Sequence, residues 1–277
     1  MLKQRVITAI VMLAILLPAL FYRTATPFSA LAMVLLAAGA WEWGRLNGLG
    51  QGSSLALAGA CVALCGLSWY AGWLQKSLPL LWVGASAAWV LVGGWLLRRG
   101  VAGWSRIPGA VRVAGGLIAL WLAWLAVAQA RVVGIGFLLS VLLLVWVADI
   151  FAYFAGRALG GRFSRGKLAP SISPGKSWEG VWGGMAGVVA LALASLWLGA
   201  SPTLYSRLTE KHGLVIMLLA AVFMAAMSVV GDLVESLIKR SAGAKDSSGL
   251  LPGHGGVLDR VDALLPTLPL AMMLASI

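Results

Sequence analysis

Apolar residues run along this chain in blocks of about 20, the length an α-helix needs to cross a bilayer. The blocks lie near 6–22, 27–46, 54–74, 78–97, 110–130, 133–155, 180–200 and 213–231, with a shorter one after Ala263. They predict an all-α fold, a polytopic transmembrane helical bundle of about nine spans, the fifth and sixth joined by a tight turn around Arg131. The first block, behind Lys3 and Arg5, stands where a signal peptide would. It is long and lacks a persuasive small-residue cleavage site, so it reads as a retained helix. No internal repeat, low-complexity tract or soluble domain breaks the series, and residues 1–277 read as one integral membrane domain. Residues 1–130 form its N-terminal helices, and 131–277 carry two polar loops, 156–179 and 236–262.

Composition agrees: 61% of residues are hydrophobic, 11% are charged, and mean hydropathy is +0.93. A net charge of +12 would suit nucleic acid. Here apolar blocks separate the basic residues, so the charge orients the protein in a membrane instead. With the N-terminus in the cytoplasm and nine alternating spans, sixteen of the 21 Lys and Arg residues fall on the cytoplasmic side. The far side keeps only Arg23, Lys76, Arg131, Arg207 and Lys211. Both polar loops are then cytoplasmic, and Ile277 lies on the far side. Trp41, Trp43, Trp69, Trp73, Trp95 and Trp104 stand near block ends, as an interfacial aromatic belt would place them. Cys61 and Cys65 read as small helix-packing residues, and Gly183 and Gly187 have the spacing for close helix approach.

The chemistry concentrates in 236–262, SLIKRSAGAKDSSGLLPGHGGVLDRVD. This stretch mixes four cations (Lys239, Arg240, Lys245, Arg260) with three carboxylates (Asp246, Asp259, Asp262), His254, and glycines 253, 255 and 256. Basic side chains, carboxylates and bare backbone N–H groups together are what a phosphate–metal site needs. Asp232 closes the eighth block, and Glu235, Ser236 and Lys239 follow on one helical face. Two acidic helix edges, Asp232 and Asp259 with Asp262, would hold a divalent metal across a glycine-rich basic loop that cradles a polyphosphate. Interfacial salt bridges are the plain alternative, with Glu235 to Lys239 the obvious pair. Asp262 is a further ligand or orients Arg260, and Asp246 stands behind the ligands beside Lys245. His254 contacts phosphate or shapes the loop. In the 156–179 loop, five cations accompany SISPGKSWEG, and Asp149 enters from the sixth helix. Ser173 and Lys176 contact phosphate there, or the loop rests on anionic headgroups.

The run Ser236, Lys239, Arg240, Lys245, Asp246, Pro252, His254, Gly255, Gly256, Asp259, Arg260, Asp262 resembles, without departure, the signature of the phosphatidate cytidylyltransferase (CDP-diacylglycerol synthase) family. SPGKSWEG and the DIFAYFAGR around Asp149 resemble that family's second cytoplasmic region; the first hundred residues match only as generic helices. The resemblance implies CMP transfer from CTP to phosphatidate, giving CDP-diacylglycerol and pyrophosphate, assisted by Mg²⁺ at the bacterial cytoplasmic (inner) membrane. It further implies Lys239, Arg240, Lys245, Asp246, His254 and Arg260 as catalytic, and Ser173, Lys176, Ser236, Gly255 and Gly256 on substrate. Asp149, Asp232, Asp259 and Asp262 would hold metal, and the assembly would be a homodimer. The chemistry is consistent, because a phosphate monoester with a second pKa near ~6 is its own nucleophile and needs no strong general base. Two other classes compete. An ion-coupled transporter would place charges near the midplane in repeated halves, whereas these acids cluster at one interface. A CTP-dependent polyprenol kinase would release CDP instead of pyrophosphate.

Overall fold

A computed structural model describes residues 2–164, 166–199 and 202–276, with the side chains of residues 2 and 3 excluded. Among the sequence expectations, Arg165, the Lys3 side chain and the position of Ile277 therefore lie outside the described residues. The chain folds into helices α1 (Leu2–Phe21), α2 (Thr26–Leu46), α3 (Gln51–Tyr70), α4 (Pro79–Trp104), α5 (Gly109–Val133) and α6 (Ile135–Leu159). A small hairpin follows, β1 (Lys167–Ala169) against β2 (Ser173–Ser177), then α7 (Trp178–Trp197), α8 (Leu204–Ser241), α9 (Leu258–Val261) and α10 (Leu264–Ser276). The all-helical bundle stands, with the antiparallel hairpin as an addition in the 156–179 loop.

Seven of these helices are long and apolar enough to cross a membrane. The expected count of about nine includes two that are not. Helix α2 has 21 residues but carries Glu42 and Arg45 in its last two turns. Helix α10 has 13 residues, about 20 Å of rise, against a hydrocarbon core of about 30 Å. It is buried from Leu265 to Met272 and packs against α8, α4 and α5 as a central half-helix. Helix α8 is two helices in series, broken at Gly213, whose φ of 83° only glycine adopts cheaply. The tight turn between α5 and α6 falls on Gly134, with Arg131 one turn earlier.

Polar contacts sort the helix ends onto two faces. On one face, Arg131 donates to the carbonyls of Leu20 (2.8 Å) and Tyr22 (2.6 Å), tying α5 to the end of α1. Gln129 donates to Trp73 and Lys76 carbonyls and accepts from Trp82 Nε1. On the other face meet the start of α1, the ends of α2, α4, α6 and α8, and the starts of α5 and α7. Thr8 Oγ1 donates to the Pro252 carbonyl there, and Trp43 Nε1 to the Arg112 carbonyl. Both polar loops lie at this end of the bundle, where Arg240 of the one reaches the Ile172 carbonyl of the other. The tryptophans depart from a simple belt. Trp43 and Trp104 are buried and pack edge-on at 5.8 Å, while Trp69 and Trp73 lean on Trp124 and Trp121.

Candidate active site

Glycine determines how closely α7 approaches α6. A Cβ at Gly183 or Gly187 would run into Ala155 or Phe151, and one at Gly184 would lie 2.8 Å from the Ala148 carbonyl. Without those methyls the backbones meet, and the α6 end bearing Asp149 lies beside the start of α7. Ser177 caps α7 by accepting from the Gly180 N–H (3.2 Å), which makes β2 the entry to the helix. Strand β2 holds Lys176 over α8, where its ammonium pairs with Asp232 at 2.5 Å. Ser236, one turn on, donates to the other Asp232 oxygen (3.2 Å). Asp149, Lys176, Asp232, Tyr153 and Arg157 line a polar cleft of about 400 Å³ between α6, the β2–α7 junction and α8.

Asp262 does not line this cleft but lies behind it, close enough to feel the charges of Asp232 and Asp149. Burial pushes its carboxyl up to about 7, reinforced by the charges of Asp232 and Asp149. It has one local bond, from the Ala263 N–H (2.7 Å). Its backbone presses on α8, where a Cβ at Gly231 would collide with the Asp262 carbonyl. Three carboxylates thus share a region with a single lysine pair. Among the described residues no three acids, histidines or cysteines are placed to ligate one ion together. The donor set still suits a hard divalent cation, which takes one or two carboxylates and completes its shell with water and phosphate oxygens.

Asp259 has a different setting from the expected one. It was expected to face Asp232, but both its oxygens are engaged within the signature loop. Oδ1 accepts from Lys239 (2.5 Å), and Oδ2 from the Ser247 N–H (2.9 Å), Ser247 Oγ (2.9 Å) and the Gly256 N–H (2.7 Å). Burial would raise this carboxyl, but the Lys239 bond and the two N–H donors outweigh it and hold it at about 2. Lys239 also pairs with Glu235 at 2.5 Å, so the salt bridge named as the plain alternative forms. Along α8, Lys239 lies seven residues, about 10 Å, beyond Asp232. The structure therefore brings Asp149 and Asp262, not Asp259, to Asp232.

The remaining signature residues divide into two sets. Lys245, Asp246 and Arg260 are exposed and, among the described residues, their side chains make no hydrogen bond or ion pair. Arg240 reaches the Ile172 carbonyl (3.4 Å) in the turn before β2, and Ser173 begins that strand. His254 shapes the loop through its backbone N–H to Leu251 (2.7 Å), with its Nδ1 buried and unpaired. Gly255 and Gly256 make room for carboxylates. A Cβ on the first would lie 2.7 Å from Asp259 Oδ2, and one on the second would run into Ser247 and Glu42.

Two glutamates outside the candidate site residues, one of them within SPGKSWEG, do much of the holding. Glu179, buried at the start of α7, accepts from the Phe163 and Ser164 N–H groups and the Ser164 hydroxyl, folding back the chain before β1. Glu42, buried in α2, does the same for the signature loop. Both follow a tryptophan (Trp41, Trp178), but a Trp-Glu pair at a helix end carries no recognisable function in sequence.

Comparison with known proteins fits this arrangement. A family model described as the cytidylyltransferase family matches residues 3–277. The phosphatidate cytidylyltransferase of Pseudomonas aeruginosa is 41% identical over 97% of this chain and 95% of its own length. That of Haemophilus influenzae is 37% identical over 97% and 96%. The Bacillus subtilis protein of the same name is 38% identical over 52% of this chain and 49% of its own. With a bundle of membrane-crossing helices, a cleft of paired carboxylates and lysine, and similarity along its whole length, the chain belongs to the cytidylyltransferase family.

Proposed function

We propose that this protein is a phosphatidate cytidylyltransferase of the bacterial inner membrane, with its N-terminus and polar face in the cytoplasm. It takes CTP and phosphatidate and yields CDP-diacylglycerol and pyrophosphate. The observation that carries this reading is the cleft of Asp149, Lys176 and Asp232, at the same end of the bundle as the complete signature loop. A charged, metal-suited cleft there serves a reaction between a water-soluble polyphosphate and a lipid phosphate.

The phosphatidate oxygen attacks the α-phosphorus of CTP. A new P–O bond forms there as the bond from the α-phosphorus to the bridging oxygen breaks, and the electron pair leaves with pyrophosphate. The nucleophile is already largely dianionic at neutral pH, so no side chain need remove a proton. The obstacle is repulsion between two polyanions. Lys176 exchanges Asp232 for a phosphate oxygen as substrate enters, and Arg157 lies on the same cleft wall. Lys245 and Arg260 are available from the loop above. Asp232, with one of its two acidic neighbours Asp149 and Asp262, would supply the one or two carboxylates that Mg²⁺ takes, and the ion would offset charge on the triphosphate and leaving group.

Asp262 gives this reading a pH signature. Below about 7 its carboxyl holds a proton, which a divalent cation must displace; above it the site is charged and ready. Apparent Mg²⁺ affinity should therefore rise with pH by up to about tenfold per unit below 7 and level off above it. D262N should flatten that dependence, measured as the Mg²⁺ concentration for half-maximal turnover from pH 6 to 8.

The decisive assay supplies purified protein in mixed micelles with CTP labelled in the cytidine ring, phosphatidate and Mg²⁺. Label in lipid together with released pyrophosphate supports the proposal. Release of CDP, with phosphate added to the lipid, replaces it with a lipid kinase.

A further inference from the structure

We infer that Glu42, some 200 residues upstream of the signature loop, is the positioning residue that holds that loop in its working shape. Its catalytic sense rests on the cytidylyltransferase reading; its geometry does not. Glu42 is fully buried, an expensive place for a carboxylate unless it is well partnered. It is retained with four donors around it. Oε1 accepts from Ser248 Oγ (2.5 Å) and the Val257 N–H (2.9 Å). Oε2 accepts from Ser247 Oγ (3.2 Å) and the Leu258 N–H (2.8 Å). The Ser248 hydroxyl and the two N–H groups are directed at Glu42 alone, while the one Ser247 hydroxyl proton is shared between Glu42 and Asp259.

The donors come from both ends of one loop. Residues 247 and 248 open it, 257 and 258 close it, and Glu42 spans the gap between them. Within that closure the loop folds on itself, Leu251 N–H donating to the Gly255 carbonyl (2.8 Å). Gly256 passes so close to Glu42 that any side chain there would strike the carboxylate. Ser247 Oγ stands between Glu42 and Asp259, so the loop hangs from two acids, one on α2 and one leading through Lys239 to α8. Glu42 does not line the polar cleft. It acts through the loop, which places Lys245 and Arg260 at its two ends.

Glutamine in its place keeps the shape, offers one acceptor oxygen, and turns an NH₂ donor toward two other donors. E42Q is expected to fold and to lose about 30-fold or more in turnover, as a displacement of about 1 Å at a reacting group does. Hydrogen exchange of the amides in 247–258 should speed up by about tenfold, while those of α6 and α7 keep their wild-type protection. S248A, which removes one hydroxyl and the acceptor of the exposed Leu250 N–H but leaves the Val257 and Leu258 N–H groups on Glu42, should cost no more than about threefold. Wild-type turnover and unchanged exchange at 257–258 in E42Q would overturn the proposal. So would faster exchange spread over the whole chain with full specific activity in the folded fraction. Should E42Q not fold, S247A/S248A decides: loosened exchange confined to 247–258 with an intermediate loss of turnover supports the proposal, and wild-type behaviour overturns it. If the wild type makes no CDP-diacylglycerol, the enzymatic reading falls, and the exchange measurements still decide whether Glu42 holds the loop.

Discussion

Asp232→Asn should leave the bundle folded and reduce turnover by about 10³-fold, about 4 kcal/mol of transition-state stabilisation. Asp232 sits in the cleft with its side chain 32% exposed, between Lys176 and Ser236. Asparagine keeps the volume and can still accept from Ser236, so the helix is undisturbed. The loss is the negative charge. Removing it relieves Asp262, whose carboxyl the Asp232 charge pushes up, so folding stability should hold or rise slightly. Activity lost without stability lost marks a group retained for function. The test is CDP-diacylglycerol formation against Mg²⁺ concentration, alongside thermal unfolding in the same detergent. Turnover within tenfold of wild type and an unaltered Mg²⁺ response would remove Asp232 from the metal site. D259N provides the contrast: Asp259 holds Lys239 and two backbone N–H groups, so its activity and stability should fall together.

Lys239→Gln should show the largest loss of stability, about 3–5 kcal/mol, the cost of removing one partner from a buried ion pair. Lys239 stands between Glu235 and Asp259, whose side chains are 5% and 6% exposed. Without its ammonium, two buried carboxylates face each other. Both Glu235 oxygens lack any hydrogen bond and depend on that ion pair. Adding E235Q to K239Q removes one of the opposed charges and should recover part of the loss. A double-mutant cycle by thermal unfolding reads the coupling. Stability restored without turnover would show that Lys239 also acts on substrate; a K239Q as stable as wild type would mean that the triad adds nothing to the fold.

The long apolar blocks announced the helices because a bilayer demands about 20 such residues whatever the neighbours do. The limits of that rule appear at α2 and α10. Glu42 and Arg45 sit at the end of one, and Pro266 and Pro269 mark the other, which is buried by protein on every side. The hairpin at 167–177 escaped notice because strands of three and five residues built around Ser-Pro-Gly-Lys lack the alternation that signals a strand. The signature residues were visible as a group, since charge, glycine and histidine crowd one loop. Their partners were not. Nothing local distinguishes Asp259, engaged by Lys239, from Asp262, left with Asp232 and Asp149; both are acids one turn apart. Glu42 carries no local signal at all, because its four donors come from a segment more than 200 positions away.

That separation bears on how the protein is made. The chain enters the membrane from its N-terminus, so α2 is in place long before residues 247–258 leave the ribosome. Until they arrive, Glu42 has none of its four donors, and the loop has no fixed form. A chain interrupted between Asp232 and Leu258 therefore carries the cleft residues Asp149, Lys176 and Asp232, but not a closed loop above them. The cleft and the loop above it are thus completed at different times, the loop after the cleft.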